Sequence, residues 1–214
     1  MTSAPSPPQN NPVPNRLSVT FIKSAPDRRT APSDELPEIA FAGRSNAGKS
    51  SVLNRLTGNR RTAKVSRTPG RTQLLNFFEV LDKGAVAGRL VDLPGYGFAQ
   101  ASRSAQAEWQ AAVNDYLSQR DSLRAVILVM DIRHPLQAYD LELIEWAAAS
   151  ALPLRILLNK ADKLGRGAQQ KTLQAVRKYV SEYSLIEVQT FSAVKGDGQP
   201  ELLATLWQWL HEPA

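Results

Sequence analysis

The chain contains no cysteine. That excludes disulfides, cysteine-ligated zinc and thiol catalysis. No apolar run approaches the roughly 18 residues of a membrane span, and the N-terminus lacks the apolar core of a signal peptide. A cytoplasmic protein without membrane contact is the expectation. Acidic residues are missing from one stretch, between Asn54 and Thr72. That stretch carries Arg55, Arg60, Arg61, Lys64, Arg67 and Arg71. Without those six, the chain's 26 basic residues fall to the number of its acidic ones, 20. The net charge of +6 is therefore matched by one segment. A local basic patch points to a polyanionic partner such as RNA. The plainer alternative is a solvated loop whose cations attract a bound anion.

What is present is ordinary for a soluble globular domain. Apolar residues make up 43% and charged residues 21%. A length of 214 residues suits one domain with a sizeable core. Residues 1–15 are rich in Pro, Ser and Asn and read as a disordered tail, which leaves a single domain over 16–214. Leu17–Ile22 alternates apolar and polar residues like a short strand, and 23–37 reads as a loop. Strands are predicted at Glu38–Ala42, Leu74–Leu81, Val86–Asp92, Ala125–Asp131, Leu154–Leu158 and Ile186–Phe191. Helices are predicted at Lys49–Leu56, Ser102–Gln119, Leu136–Ala151, Gln169–Tyr183 and Pro200–His211. This alternation implies an α/β fold: a doubly wound, six-stranded, mostly parallel sheet with helices on both faces and one antiparallel strand at the first hairpin. Ligands bind such sheets at the carboxyl ends of the strands.

Three motifs fall at those ends. Gly43-Arg44-Ser45-Asn46-Ala47-Gly48-Lys49-Ser50 fits G-x-x-x-x-G-K-[ST] in full. Its amide N–H groups can converge on a β-phosphate at a helix N-terminus. Lys49 adds a point charge on the β- and γ-phosphates, and Ser50 offers a hydroxyl to Mg²⁺. Asp92-Leu93-Pro94-Gly95 follows an apolar strand. Asp92 would hold Mg²⁺ through water, and the Gly95 N–H would bond a γ-phosphate. Asn159-Lys160-Ala161-Asp162 would read the base. The Asp162 carboxylate can accept from guanine N1–H and the 2-amino group, whereas adenine presents a lone pair at N1. Asn159 would tie the base to the phosphate loop, and the Lys160 stem would cover the base face. After the last strand comes Phe191-Ser192-Ala193, where the Ala193 N–H can donate to guanine O6. Thr68 and Thr72 both lie in the basic loop, and one should supply the switch hydroxyl to Mg²⁺. Position alone does not choose between them.

Beyond these motifs, three stretches carry a closer likeness: PEIAFAGRSNAGKSS over Pro37–Ser51, KVSRTPGRTQLLNFF over Lys64–Phe78, and DLPGYG over Asp92–Gly97. They resemble the EngB family of bacterial GTPases, also called YihA or YsxC, across residues 17 to 211. The resemblance implies a Ras-like P-loop GTPase fold of the TrmE–Era–EngA–septin-like class. It implies Mg²⁺ at Ser50 and Thr72, and nucleotide contacts at 43–50, at Gly70, Arg71, Thr72, Gln73 and Leu74, and at 92–95, 159–162 and 191–193. Lys49, Thr72 and Gly95 become the catalytic set. The family is linked to assembly of the large (50S) ribosomal subunit and to normal septation in cell division.

Several consequences are expected from these readings. Tyr96 stands where Ras-like enzymes keep a water-orienting Gln, so intrinsic hydrolysis of GTP to GDP should be slow, at or below the ~10⁻⁴ s⁻¹ of an unassisted switch. Relatives with an Asn at the Asn46 position often use K⁺ as a fixed cation, which makes K⁺ a second candidate cofactor. Arg67 and Arg71 read as RNA or solvent contacts rather than arginine fingers in cis. His134 reads as a strand-end cap and His211 as solvated. Trp207 and Trp209 pack the last helix, one of them pointing elsewhere. The leading reading is a monomeric GTP switch docking on a ribosomal precursor through RNA. A cell-division regulator with a protein partner is the alternative, and a metabolic P-loop enzyme is disfavoured by the base-reading segment. Asp162→Asn should weaken GTP binding and favour xanthine nucleotide, because hydrogen bonds to a charged group contribute about 1.5–3 kcal/mol. Unchanged GTP affinity by titration calorimetry would refute the role given to Asp162.

Overall fold

The computed structural model describes residues 12–59, 74–96 and 103–212, with the backbone alone for 103–110. Seven strands form one sheet in the order β1-β3-β4-β2-β5-β6-β7. They are β1 (Ser18–Ala25), β2 (Glu38–Gly43), β3 (Leu75–Asp82), β4 (Ala85–Asp92), β5 (Leu123–Asp131), β6 (Leu154–Asn159) and β7 (Ile186–Thr190). The helices are α1 (Lys49–Thr57), α2 (Arg103–Gln119), α3 (Ala138–Ala149), α4 (Arg166–Tyr179) and α5 (Gln199–His211). β2 is parallel to β4 and β5, and β5, β6 and β7 continue the parallel set. β3 is antiparallel to both of its neighbours, β4 and β1.

The sheet thus has one strand more than the six expected. β1 starts in the expected place but runs on through Lys23, Ser24 and Ala25, where the sequence predicts loop. A register shift between Phe21 and Lys23 breaks the apolar alternation there. Pairing resumes beyond it, and Ser24 Oγ donates to Asn76 Oδ1 at 2.6 Å. Polar side chains on an edge strand carry no periodic signal, so the pairing was not visible in the pattern.

Strand alternation splits the core into two layers. Ala125, Ile127 and Val129 of β5 face α1 and α5, against Val52, Leu53, Leu56, Leu202 and Leu206. Val126, Leu128 and Met130 face the other side, with Tyr116, Ile144, Leu173 and Val176. Two expectations for α5 are settled here. Trp207 is buried and Trp209 packs half-buried on the same layer. His211 is not simply solvated. Its Nδ1 lies 2.9 Å from the Trp207 carbonyl and its Nε2 3.1 Å from Asp82 Oδ2, joining α5 to the β3–β4 turn. His134 is exposed and its N–H donates to the Asp131 carbonyl, a strand-end turn as expected.

At the amino end of the strands, Glu38 is fully buried. It accepts from the Tyr116 hydroxyl at 2.8 Å and from Arg120 Nε at 2.9 Å. These bonds satisfy a carboxylate that burial would otherwise penalise heavily. They also anchor the end of α2, leaving the opposite, carboxyl end of the sheet for the motifs. Among the described residues, no helix is long and apolar enough to cross a membrane.

Candidate functional site

Strands β2, β4, β5 and β6 end at Gly43, Asp92, Asp131 and Asn159. Parallel register sets Asp131 beside Asn159 and Gly43 beside Val129. The loops leaving these strands therefore meet on one rim.

The loop after β2 turns back through Asn46, whose φ of +67° is left-handed, a conformation Asn tolerates. The Ala47 N–H donates to the Arg44 carbonyl at 3.0 Å and the Ser45 N–H to the Tyr96 carbonyl at 2.7 Å. Gly48 caps α1 at φ +99°, with no side-chain hydrogen bond to the helix N-terminus. The first N–H groups of α1 are thus presented to any anion the loop encircles. Gly48 could carry no other side chain: a Cβ there would lie 2.3 Å from Asn159 Nδ2.

Lys49 Nζ hydrogen-bonds Asp92 Oδ1, and both side chains are buried. A lysine expected on phosphates and a carboxylate expected near Mg²⁺ are thus adjacent. Ser50 is the next residue of α1. A hydroxyl and a buried carboxylate are hard oxygen donors that suit Mg²⁺, which commonly takes few protein ligands and keeps waters and substrate phosphates. The Leu93 N–H donates to the Phe41 carbonyl at 3.0 Å. Gly95 packs against the phosphate loop, its absent Cβ position 3.3 Å from Ser45 N. Tyr96 is not free to orient water. Its ring is buried and its hydroxyl bonds Asp140 of α3. Burial pushes the Tyr96 hydroxyl up, with the Asp140 charge adding to the shift, and burial also pushes the Asp140 carboxyl up.

The base-reading segment is bound to the phosphate loop by side chains. Asn159 Nδ2 donates to the Ala47 carbonyl at 2.9 Å, and its Oδ1 accepts from the Ala193 N–H at 3.3 Å. That N–H is the one assigned to guanine O6. Its bond to Asn159 is long, and a base oxygen can share or displace it. Lys160, left-handed at φ +64°, reaches the Asn46 carbonyl at 2.5 Å and Asp131 Oδ2 at 2.9 Å. Asp162 Oδ1 accepts from the Ser192 hydroxyl at 2.7 Å, which holds its carboxyl below the usual value. The Ala161 N–H donates to the Phe191 carbonyl at 3.0 Å.

Residues 43–50, 92–95, 159–162 and 191–193 are thus brought to one rim. Leu74 lies two residues before Asn76, which pairs with Asp92. Gly70, Arg71, Thr72 and Gln73 lie outside the described residues, as do Thr68 and the basic residues 60–71. Two contributors were missed. Asp131 holds Lys160 and is itself gripped by Arg133 Nε at 2.9 Å and Nη2 at 2.6 Å. Gln169 Nε2 donates to the carbonyls of Ala161 and Leu164, at 2.8 and 2.9 Å. Asp131 ends a strand on the same rim as the motifs, and that position was a usable signal. Nothing in the sequence marked Gln169.

A family model described as 50S ribosome-binding GTPase matches residues 38–160. The chain is 50% identical over 201 residues to "Probable GTP-binding protein EngB" of Tolumonas auensis, covering 94% of this chain and 93% of that one. It is 49% identical over 195 residues to the protein of the same name in Colwellia psychrerythraea, covering 91% and 85%. A crystal structure of a probable GTP-binding protein engB matches with a TM-score of 0.64 at 22% identity, over 82% of this chain and 100% of that one. An Era variant of Aquifex aeolicus bound to GDP.AlF4- matches with a TM-score of 0.63 at 22% identity, over 83% and 57%. At that identity the two structures bear on the fold alone.

Asp131→Ala should weaken GTP and GDP alike, by about tenfold, since it removes charge-assisted bonds that touch neither phosphate. Fluorescent-nucleotide titration checks this, and a loss confined to GTP would contradict it. Arg133, and then Lys160, hold the Asp131 carboxyl well below its usual value. The contribution of this bonding to folding stability is therefore whole above about pH 4 and is lost progressively as pH falls from there through the lower pKa of the folded protein.

Proposed function

The chain belongs to the EngB family of GTPases, and from that membership we propose that it is a GTP-operated switch in assembly of the large ribosomal subunit. The observation that carries the reading is the convergence of phosphate loop, γ-phosphate sensor and base reader on one rim, joined through Asn159. An enzyme that merely consumes a nucleotide has no need of both a base reader and a γ-phosphate sensor. The ribosomal partner rests on the description of the matching family model and on the cations between Asn54 and Thr72, which suit ribosomal RNA.

In this reading the N–H groups of Gly48, Lys49 and Ser50, at the start of α1, hold the β-phosphate. Lys49 exchanges Asp92 for the β- and γ-oxygens and offsets the charge that grows on them as water attacks. The Gly95 N–H bonds the γ-phosphate and is released when that group leaves as inorganic phosphate. Ser50 and Thr72, with Asp92 through water, would hold Mg²⁺, which would supply positive charge against the β- and γ-phosphate oxygens. Asp162 and Ala193 select guanine. With Tyr96 in the place after Gly95 and its side chain committed to Asp140, that place offers no side-chain amide to align the water, so unassisted turnover is slow. The protein works as a cytoplasmic monomer.

Potassium is the proposed substitute for an arginine finger, held near Asn46. Hydrolysis should then run at least several-fold faster in K⁺ than in Na⁺ buffer, and equal rates would remove K⁺ from the mechanism. The ribosomal role is tested by co-sedimentation with purified large subunits across a salt series, with a non-hydrolysable GTP analogue, GDP or no nucleotide. Binding only with the analogue, falling steeply with salt, is the expected result. Salt-insensitive binding, or none in any state, would turn the proposal toward a protein partner in cell division.

A further inference from the structure

Arg55 sits in the last turn of α1 and is the first of the six cations between Asn54 and Thr72. Its guanidinium is not a free cation for RNA. Nε donates to Gln199 Oε1 at 2.7 Å, at the start of α5. Nη2 donates to the Lys195 carbonyl at 3.1 Å, in the loop that follows β7. Gly196 lies against the same group: at φ +89°, a Cβ there would stand 1.9 Å from Nη2. The loop has closed around the guanidinium.

That loop is a small hydrogen-bonded unit. The Gly196 N–H donates to the Ser192 carbonyl at 2.7 Å, and the Ser192 N–H to the Asp197 carbonyl at 3.0 Å. The Lys195 N–H donates to Ser192 Oγ at 3.1 Å, and Ser192 Oγ donates onward to Asp162. The Ala193 N–H lies between these bonds. A restraint on the Lys195 carbonyl is therefore a restraint on the direction of the Ala193 N–H and on the hydroxyl that orients Asp162.

We propose that Arg55 is a positioning residue for guanine recognition, bracing the base loop 191–196 against the far end of the helix whose near end binds the phosphates. Both ends of α1 then address one ligand. Lys49 and Ser50 act at its first turn, and Arg55 sets the base contacts from its last. A lysine cannot reproduce the brace, because it lacks the planar fork that serves two acceptors at once.

The inference rests on reading 191–193 as the base loop, and the test separates the two. GTP and 6-thio-GTP are titrated against wild type, Arg55→Ala, Arg55→Lys and Gln199→Ala. The thio analogue keeps N1–H and the 2-amino group but offers sulfur, a weak acceptor, in place of O6. Wild type should prefer GTP. Arg55→Ala should bind GTP about tenfold more weakly and lose most of that preference, with kcat at saturating GTP unchanged and KM raised. Arg55→Lys should recover part of the preference. Gln199→Ala, which leaves the bond to Lys195, should shift the ratio in the same direction by about two- to threefold, and it serves if Arg55→Ala does not fold. An unaltered ratio in Arg55→Ala or Gln199→Ala overturns the proposal. So does an equal loss of both nucleotides, or intact nucleotide binding with weakened ribosomal-subunit binding. A wild type that does not distinguish the two nucleotides overturns the base-loop reading itself.

Discussion

One buried amide organises the site. Asn159 is 1% exposed and ties together two loops that the sheet brings to the same rim. Its Nδ2 holds the phosphate loop at Ala47, and its Oδ1 meets the base loop at Ala193. Each bond alone contributes about 1 kcal/mol. The consequence is larger, because the amide sets the distance between the phosphate reader and the base reader. That distance must match a nucleotide. The position also constrains its neighbours: Gly48 cannot carry a side chain because Asn159 fills the space.

The sheet makes this possible through register. Parallel pairing brings the carboxyl ends of β2, β4, β5 and β6 to one level, so short loops suffice to bring distant segments together. The amino end is closed by the buried carboxylate of Glu38 with Tyr116 and Arg120. The two ends use buried charge differently. Glu38 is fully satisfied by fixed partners and serves the fold. Asp92 is paired with Lys49, a flexible cation that can move to phosphate, and serves the site.

Much of this was legible in the sequence. Each nucleotide motif is contiguous and falls where an apolar strand ends, so the chemistry could be read from residues 43–50, 92–95 and 159–162 directly. The helices and most strands followed from apolar periodicity, with α4 shifted to Arg166–Tyr179 from the expected Gln169–Tyr183. What could not be read depends on convergence between remote segments. The far half of β1 is held by backbone pairing without an apolar pattern. His211 meets Asp82 across 129 positions. Arg55 reads in sequence as one cation of a basic run, and only the fold brings the Lys195 carbonyl to it. Charge runs record composition, whereas a side chain's partner is decided by the fold.

The γ-phosphate sensor has little room to move. Before it, Leu93 is fixed to the Phe41 carbonyl, and after it the Tyr96 carbonyl is fixed to the Ser45 N–H. The Tyr96 ring is held further by Asp140, whose other oxygen accepts from the Gln137 N–H and closes the first turn of α3. Burial pushes the Tyr96 hydroxyl up, so it keeps its proton and donates it to Asp140. Between these two fixed points lie only Pro94 and Gly95. In the proposed reading these two residues would report one phosphate, while the base contacts hang from Asn159 on a different strand. GDP would then lose the bond to Gly95 and keep the guanine contacts, with the phosphate loop joined to one side through Ser45 and to the other through Ala47.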